Sequence, residues 1–324
     1  MLHVHLQFDL TPDQIRYLKT LLDGTICLTV GETPQPARFT ILVHGFPRRE
    51  DLLASPNLHT LIIPWAGPPL ETLRLAAQFP WLQVHNLPYN AAPTAEMAVA
   101  LLLAAAKGIL PYDRKFREHR WGPPHPGRRN SVLLEGAMAL ILGYGRVGRR
   151  VAEALRGLGM EVRALRRERR PDDPDHVYGP QALPELLPQA AALVICLPHT
   201  PETTGLIGAR ELALLPPQAV LVNVARGEIV DQAALYHALA ERRIFAAGID
   251  VWYHYPDRAQ RQRDAPVPPA AFPFHQLDNV VMSPHRAGWS EESEDLRLRH
   301  LAAALNAAAR GQPLPHRIDP ARGY

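Results

Sequence analysis

Two residues just past apolar runs are placed to do chemistry. Arg226 follows "LVNVA" and His285 follows "NVVMSP", with Pro284 restricting the backbone immediately before it. Open α/β sheets bind ligands beyond the carboxyl ends of their strands, which is where both residues fall. A guanidinium there can pair with a substrate carboxylate and polarise a neighbouring carbonyl, while an imidazolium can protonate a developing alkoxide. A lone His in a turn is more often merely exposed. This one is accompanied by an arginine and by a nucleotide-type loop.

That loop lies in "ALILGYGRVGRRVAEAL", where Gly143, Gly145 and Gly148 have G-x-G-x-x-G spacing. The pattern alone is weak, but here it follows an apolar strand and opens an Ala-rich helix, the context a dinucleotide site requires. The helix N-terminus would offer amide donors and partial positive charge to a pyrophosphate. About 20 residues on, NAD-binding forms carry an acid for the ribose hydroxyls. In "GMEVRALRRERR" that place holds Arg166 and Arg167 instead. Guanidinium groups suit a 2′-phosphate, so NADP(H) is favoured with NAD(H) possible; solvated arginines in an Arg-rich chain are the bland alternative. A nicotinamide beside an Arg and a His suits reduction of a 2-keto acid.

The elements that must position these residues alternate. "HVHLQF", "TICLTV", "FTILVHG", "TLIIPWAG" and "LQVHNLP" read as strands, with helices "TPDQIRYLKTLL" (Thr11 capping, Pro12 first) and "PLETLRLAAQF" among them. A long Ala- and Leu-rich helix spans about 93–109, and the Pro- and Gly-rich stretch 121–130 is a natural place to change domains. A second series runs "AMALIL", "EVRAL", "ALVICLP", "AVLVNVA", "FAAGIDV" and "NVVMSP". Residues 257–275 interrupt it as a Pro- and Arg-rich loop, and a helix "EDLRLRHLAAALNAAARG" precedes an extended tail. Alternating strands and helices imply parallel sheets covered on both faces, hence two α/β lobes meeting at a cleft.

Composition sets the outer bounds. At 324 residues, 47% hydrophobic and 21% charged, the chain fits one large or two medium globular domains. The pI near 9.0 accompanies a net charge of only +3, with Lys19, Lys107 and Lys115 the only lysines. No basic stripe interleaved with aromatics points to nucleic acid. Cys27 and Cys196 sit in apolar runs and suggest two buried thiols rather than a disulfide framework or a metal site. "MLHVHLQFDL" lacks the features of a signal peptide, and "MAVALLLAAAKGIL" is too short to span a bilayer, so a cytoplasmic protein without membrane or metal partners is expected.

The motifs "LGYGRVG", "CLPHTPETTGLIG", "LVNVARGEIVD", "AAGIDVW" and "NVVMSPHRAG", in that order along nearly the whole chain, resemble the D-isomer-specific 2-hydroxyacid dehydrogenases. The resemblance implies a Rossmann cofactor domain (109–292) inserted into a discontinuous, flavodoxin-like substrate domain (1–108 and 293–324), both doubly wound parallel sheets. It implies a homodimer, and amides of Ala66 and Gly67, beside Trp65, for the substrate carboxylate. Tyr144, Arg146, Val147, Val224, Ala225 and Gly288 would join the three glycines, Arg226 and His285 around the cofactor. Leu197, Pro198 and Thr203 would line its adenosine side, and Asp250 would face the nicotinamide carboxamide.

One departure stands out in "GIDVWYHYPD". The family carries a Glu before this Pro that hydrogen-bonds the catalytic His, and here the position is Tyr255. The expected trio is therefore Arg226, Tyr255 and His285, with Tyr255 either orienting the imidazole through its hydroxyl or forming pocket wall. Asp257, Glu291 and Glu292 are the nearest acids in sequence. The implied reaction is NADP(H)-linked reduction of a small 2-keto acid, glyoxylate or hydroxypyruvate, with Trp65, Tyr89 and Trp289 crowding the pocket. Two alternatives stay open: oxidation of a formate- or phosphite-type oxyanion, and a nucleotide-sensing protein whose catalysis has decayed.

Overall fold

The computed structural model describes residues 1–122 and 131–323, so the stretch expected to join the domains lies outside the described residues from Pro123 onward. Strands β1 (Leu2–Leu6), β2 (Ile26–Val30), β3 (Ile41–Val43), β4 (Thr60–Ile63) and β5 (Gln83–Asn86) come first. They are followed by β6 (Met138–Leu142), β7 (Glu161–Leu165), β8 (Val177–Tyr178), β9 (Ala190–Ile195), β10 (Val220–Asn223), β11 (Ala246–Ile249) and β12 (Val280–Met282). A short β13 (Arg317–Ile318) lies near the C-terminus. The chain divides into two compact units, Met1–Ala91 with Trp289–Tyr324, and Ala92–Gly288.

The first unit is a six-stranded sheet in the order β13-β5-β4-β3-β1-β2, parallel except for the antiparallel β13–β5 pair. Its 2-1-3-4-5 core is the flavodoxin-like order. Helix Pro12–Leu21 starts as its sequence dictates: Thr11 Oγ1 accepts from the Gln14 amide while the Gln14 side chain accepts from the Thr11 amide. Leu18 of that helix and Leu298, Leu301 and Leu305 of helix Ser293–Ala309 share one core with Val4, Leu6, Ile41 and Val43. Both chain ends thereby build one unit.

The second unit is a seven-stranded, wholly parallel sheet in the order β12-β11-β10-β9-β6-β7-β8. The order reverses between β6 and β9, the point where doubly wound sheets open a crevice for a dinucleotide. The strands are apolar on both faces, as burial on two sides demands: β6 and β9 are buried at every position.

Three details differ from the sequence reading. The division falls after Ala91 and Gly288 rather than after 108 and 292. Helix Ala91–Ala106 belongs with the second unit because Ala98, Leu101, Leu102 and Ala105 enter its core, and a Cβ on Gly248 of β11 would press on Leu101. Each buried Leu contributes about 1.5–3 kcal/mol, more than any local propensity could set against it. The expected single helix to 109 also breaks: Gly108 is left-handed (φ 59°), and a second helix, Ile109–Arg117, leaves at 66°. Among the described residues no single helix is long and apolar enough to cross a membrane. Finally, the 257–275 loop contains a short helix, Arg258–Gln262, and its far end is anchored, with Ala270 and Phe274 buried and Phe272 stacked on Tyr236 at 5.2 Å.

Candidate active site in the second unit

The glycine loop follows β6. Gly143 has φ 99°, a left-handed value only glycine takes at little cost, and a Cβ there would strike the Cys196 carbonyl at the end of β9. A Cβ on Gly148 would collide with the Gly143 carbonyl oxygen, so helix and loop close tightly only with glycine. Gly145 is different. It has an ordinary extended backbone, caps helix Arg146–Gly157, and would place a Cβ in space where, among the described residues and apart from its chain neighbours, no atom lies within 4 Å. No contact within the protein calls for glycine there; room for a ligand at the helix N-terminus does. The residues present therefore fit a dinucleotide.

Around this loop, Tyr144 is buried and its hydroxyl lies 3.2 Å from His176 Nε2. Thr203 Oγ1 donates to the Pro198 carbonyl and accepts from the Thr200 amide, closing the turn that carries Leu197 and Pro198. Cys196 is half-buried and its thiol is pushed up to about 12 by burial; both cysteines are free thiols. At the end of β7, Arg166 and Arg167 are each ion-paired. Arg166 Nη1 lies 2.7 Å from Asp173, whose side chain is fully buried, and Arg167 lies 3.0 Å from the exposed Glu202.

Arg226 follows β10 and His285 follows β12, in strands flanking β11 on either side. Asn223, the last residue of β10, shapes the first loop: its side chain accepts from the Ala225 amide and donates to the Arg226 carbonyl. Val224 and Ala225 are buried, and the Arg226 guanidinium donates to the Ala225 carbonyl at 2.7 Å. Burial draws the Arg226 pKa down, countered in part by Tyr255 and Glu228; a guanidinium nonetheless stays charged.

The second loop is organised by Asp250 at the end of β11. Its buried carboxylate accepts from the Ser283 hydroxyl and from the amides of Arg286 (2.8 Å) and Ala287 (3.0 Å), and its carbonyl accepts from the His285 amide (2.8 Å). His285 is held in the left-handed region, φ 56°, which few non-glycine residues adopt. Gly288 ends this unit beyond the loop. Burial, and then the Arg226 guanidinium, press the His285 pKa below its ordinary value, with Asp250 opposing.

Tyr255 comes to His285 by its ring, with centroids 5.3 Å apart and planes inclined at 55°. Its hydroxyl accepts from the Trp252 amide at 2.9 Å. The aromatic segment ties the loops together. Trp252 Nε1 donates to the Ser283 carbonyl, the Tyr253 hydroxyl donates to the Val230 carbonyl, and the Tyr253 and His254 amides donate to Pro269. Asp257, one of the acids nearest in sequence, caps helix Arg258–Gln262 by accepting from the Gln260 amide. Among the described residues, then, Asp250 is the carboxylate that acts on the imidazole.

In the first unit, the expected substrate loop follows β4. The Trp65 ring covers Gly45, where a Cβ would overlap it, and lies 5.5 Å from the Phe46 ring. The Ala66 carbonyl accepts from the Asn86 side chain at 2.6 Å, and Gly67 follows. Sequence reasoning missed Asn223, Ser283 and Asp173. Asn223 carried a signal, a polar residue ending an otherwise apolar strand; Asp173 carried none that separated it from Asp172 and Asp175.

The sequence pattern of the D-isomer specific 2-hydroxyacid dehydrogenase NAD binding domain matches residues 99–287, more than half of the chain's 324 residues. The chain belongs to the D-isomer specific 2-hydroxyacid dehydrogenases. Within that family it is 35% identical over 232 residues to a glyoxylate reductase of Korarchaeum cryptofilum, covering 70% of this chain and 65% of the relative. It is 37% identical over 232 residues to a glyoxylate reductase of Aeropyrum pernix, covering 70% and 66%. The matched region thus spans about two thirds of those relatives' own length. A D-isomer specific 2-hydroxyacid dehydrogenase from Xanthobacter autotrophicus Py2, solved in complex with NADPH and MES, superposes with a TM-score of 0.81 at 27% identity over 99% of both chains.

The open space at Gly145 leads to a direct test. Gly145→Val should lower unfolding stability by no more than about 1 kcal/mol, the cost of a poorer helix cap, since the new side chain meets no described residue. It should weaken equilibrium binding of NADPH or NADH by at least about tenfold, read by quenching or cofactor fluorescence. Unchanged cofactor binding would remove this loop from the cofactor site.

Proposed function

We propose that this chain reduces small 2-keto acids to D-2-hydroxy acids, glyoxylate and hydroxypyruvate foremost, with NADPH preferred and NADH usable. The observation that carries the reading is the placement of Arg226 and His285 at the carboxyl ends of β10 and β12, in the same sheet as the glycine loop. When bound, the nicotinamide supplies the hydride. The Arg226 guanidinium pairs with the substrate carboxylate and polarises the keto oxygen, and the His285 imidazolium gives its proton to that oxygen as negative charge develops. Asn223 and Asp250 hold the two loops that carry these groups. Trp65, Ala66 and Gly67 are the first unit's candidates for the carboxylate. The glyoxylate reductases among the relatives favour this reading over oxidation of a formate- or phosphite-type oxyanion and over a nucleotide sensor.

A homodimer and a cytoplasmic location belong to the same proposal. The dimer is supported by an exposed apolar face: Ile109, Tyr112 and Phe116 follow helical spacing and Trp121 packs edge-on against Phe116. The parent should sediment as a dimer, and Tyr112→Asp with Phe116→Asp as a monomer. A monomeric parent at micromolar concentration defeats the dimer.

NADPH should be consumed with glyoxylate or hydroxypyruvate, and with kcat/KM at least about tenfold above that with NADH, since a charge-assisted contact to a phosphate is worth about 1.5–3 kcal/mol. Arg226→Lys should lose nearly all reduction while binding NADPH normally, because an ammonium lacks the planar two-point contact. Activity within a few-fold of the parent would refute the role given to Arg226.

The low His285 pKa sets the pH dependence. Reduction needs the imidazolium, so kcat/KM should fall as pH rises through a midpoint below about 6.5. Tyr255→Glu adds a carboxylate beside the ring, which favours the charged form and should move the midpoint upward. A rate flat to pH 8.5 in the parent would show that His285 is not the proton donor.

A further inference from the structure

The sequence makes Arg166 a candidate for a cofactor 2′-phosphate; its protein partner is visible only in the structure. The loop 166–176 carries Arg166, Arg167, Arg169 and Arg170 with Asp172, Asp173 and Asp175, and of these acids only Asp173 is buried. One Asp173 oxygen accepts from Arg166 Nη1 at 2.7 Å and lies 3.7 Å from Arg149 Nη2; the other accepts from the Arg170 amide at 2.7 Å. Arg149 stands one turn into the helix that begins at the glycine loop, with its guanidinium 5.3 Å from the centre of the Tyr144 ring. One carboxylate thus joins the end of β7, the turn at Arg170 and the cofactor-loop helix.

The charges favour this arrangement as a fixed one. Burial pushes the Asp173 pKa up, but the Arg170 amide and then Arg166 overcome it and hold the carboxyl below the usual carboxylate range. Asp173 is therefore ionised at neutral pH, set against two guanidinium groups, and the group keeps a surplus positive charge. Arg166 spends one of its donors on Asp173, and a guanidinium has five. Its side chain is 16% exposed, whereas Arg167, paired with Glu202 on the surface, is 35% exposed and correspondingly less held.

We infer that Asp173 is a positioning residue that sets the preference between NADPH and NADH, by holding Arg166 at the end of β7 and drawing Arg149 toward it so that a cofactor 2′-phosphate meets a guanidinium pair already in place. The inference rests on the proposed NADPH preference. Preorganisation strengthens binding by lowering the ordering cost, and here it acts mainly on one cofactor, because NADH offers the pair a neutral 2′-hydroxyl where NADPH offers a charged phosphate.

The test is equilibrium binding of NADPH and NADH, each by fluorescence titration, together with 2′,5′-ADP as a probe without the nicotinamide. Asp173→Ala should weaken NADPH and 2′,5′-ADP by about tenfold or more and leave NADH within about twofold. Tighter NADPH binding in that variant would show that Asp173 competes with the phosphate, and equal losses for both cofactors would reduce it to structural support; either overturns the inference. If Asp173→Ala does not fold, Asp173→Glu keeps the charge but displaces Arg166. It should weaken NADPH alone by at least about threefold, and an unchanged NADPH affinity overturns the inference. Equal affinities for the two cofactors in the parent defeat the NADPH preference and this inference together, whereas a parent preference that survives Asp173→Ala defeats this inference alone.

Discussion

Asp250 has no exposed surface, and among the described residues the donors to its carboxylate are Ser283, Arg286 and Ala287, in the five-residue stretch that carries His285. A left-handed backbone at a non-glycine residue costs of order 1–3 kcal/mol. Hydrogen bonds to a charged acceptor are worth about 1.5–3 kcal/mol each, so three of them are enough to hold His285 where it stands. The same bonds satisfy a buried charge that would otherwise be costly to bury unpaired. The histidine's placement and the aspartate's burial depend on one another, and the position of the imidazole follows from that.

This arrangement accounts for an aromatic segment where the family has a carboxylate. Trp252 and Tyr253 each use a polar atom to bind the loop after β11 to those after β12 and β10, while the Tyr255 hydroxyl accepts from the Trp252 amide within its own loop and its ring lies against the imidazole. Rigidity near His285 is kept while the charge that would favour imidazolium is lost. Arg226 adds a repulsive cation on the other side of the balance. The balance of charge and burial therefore shifts His285 toward its neutral form.

At the end of β7 the same physics appears again. Asp173 is a buried anion among guanidinium groups, and it orders them without cancelling them. A surface pair such as Arg167 with Glu202 is worth little by comparison, because water screens it and two long side chains must be ordered to make it.

By itself the amino-acid sequence determined what depends on local pattern. The alternation of apolar strands with helices set two parallel sheets, Thr11 and Gln14 set a helix start, and the glycine spacing after β6 marked the tight strand-to-helix turn. Arg226 and His285 could be picked out because the ends of apolar strands are visible in one dimension. What touches them could not. Whether Tyr255 offers its hydroxyl or its ring, which of three aspartates meets Arg166, and which unit claims helix Ala91–Ala106 are questions of partner choice between segments distant in sequence. Loop paths and the competition among buried surfaces decide them, and neither leaves a periodic trace along the chain.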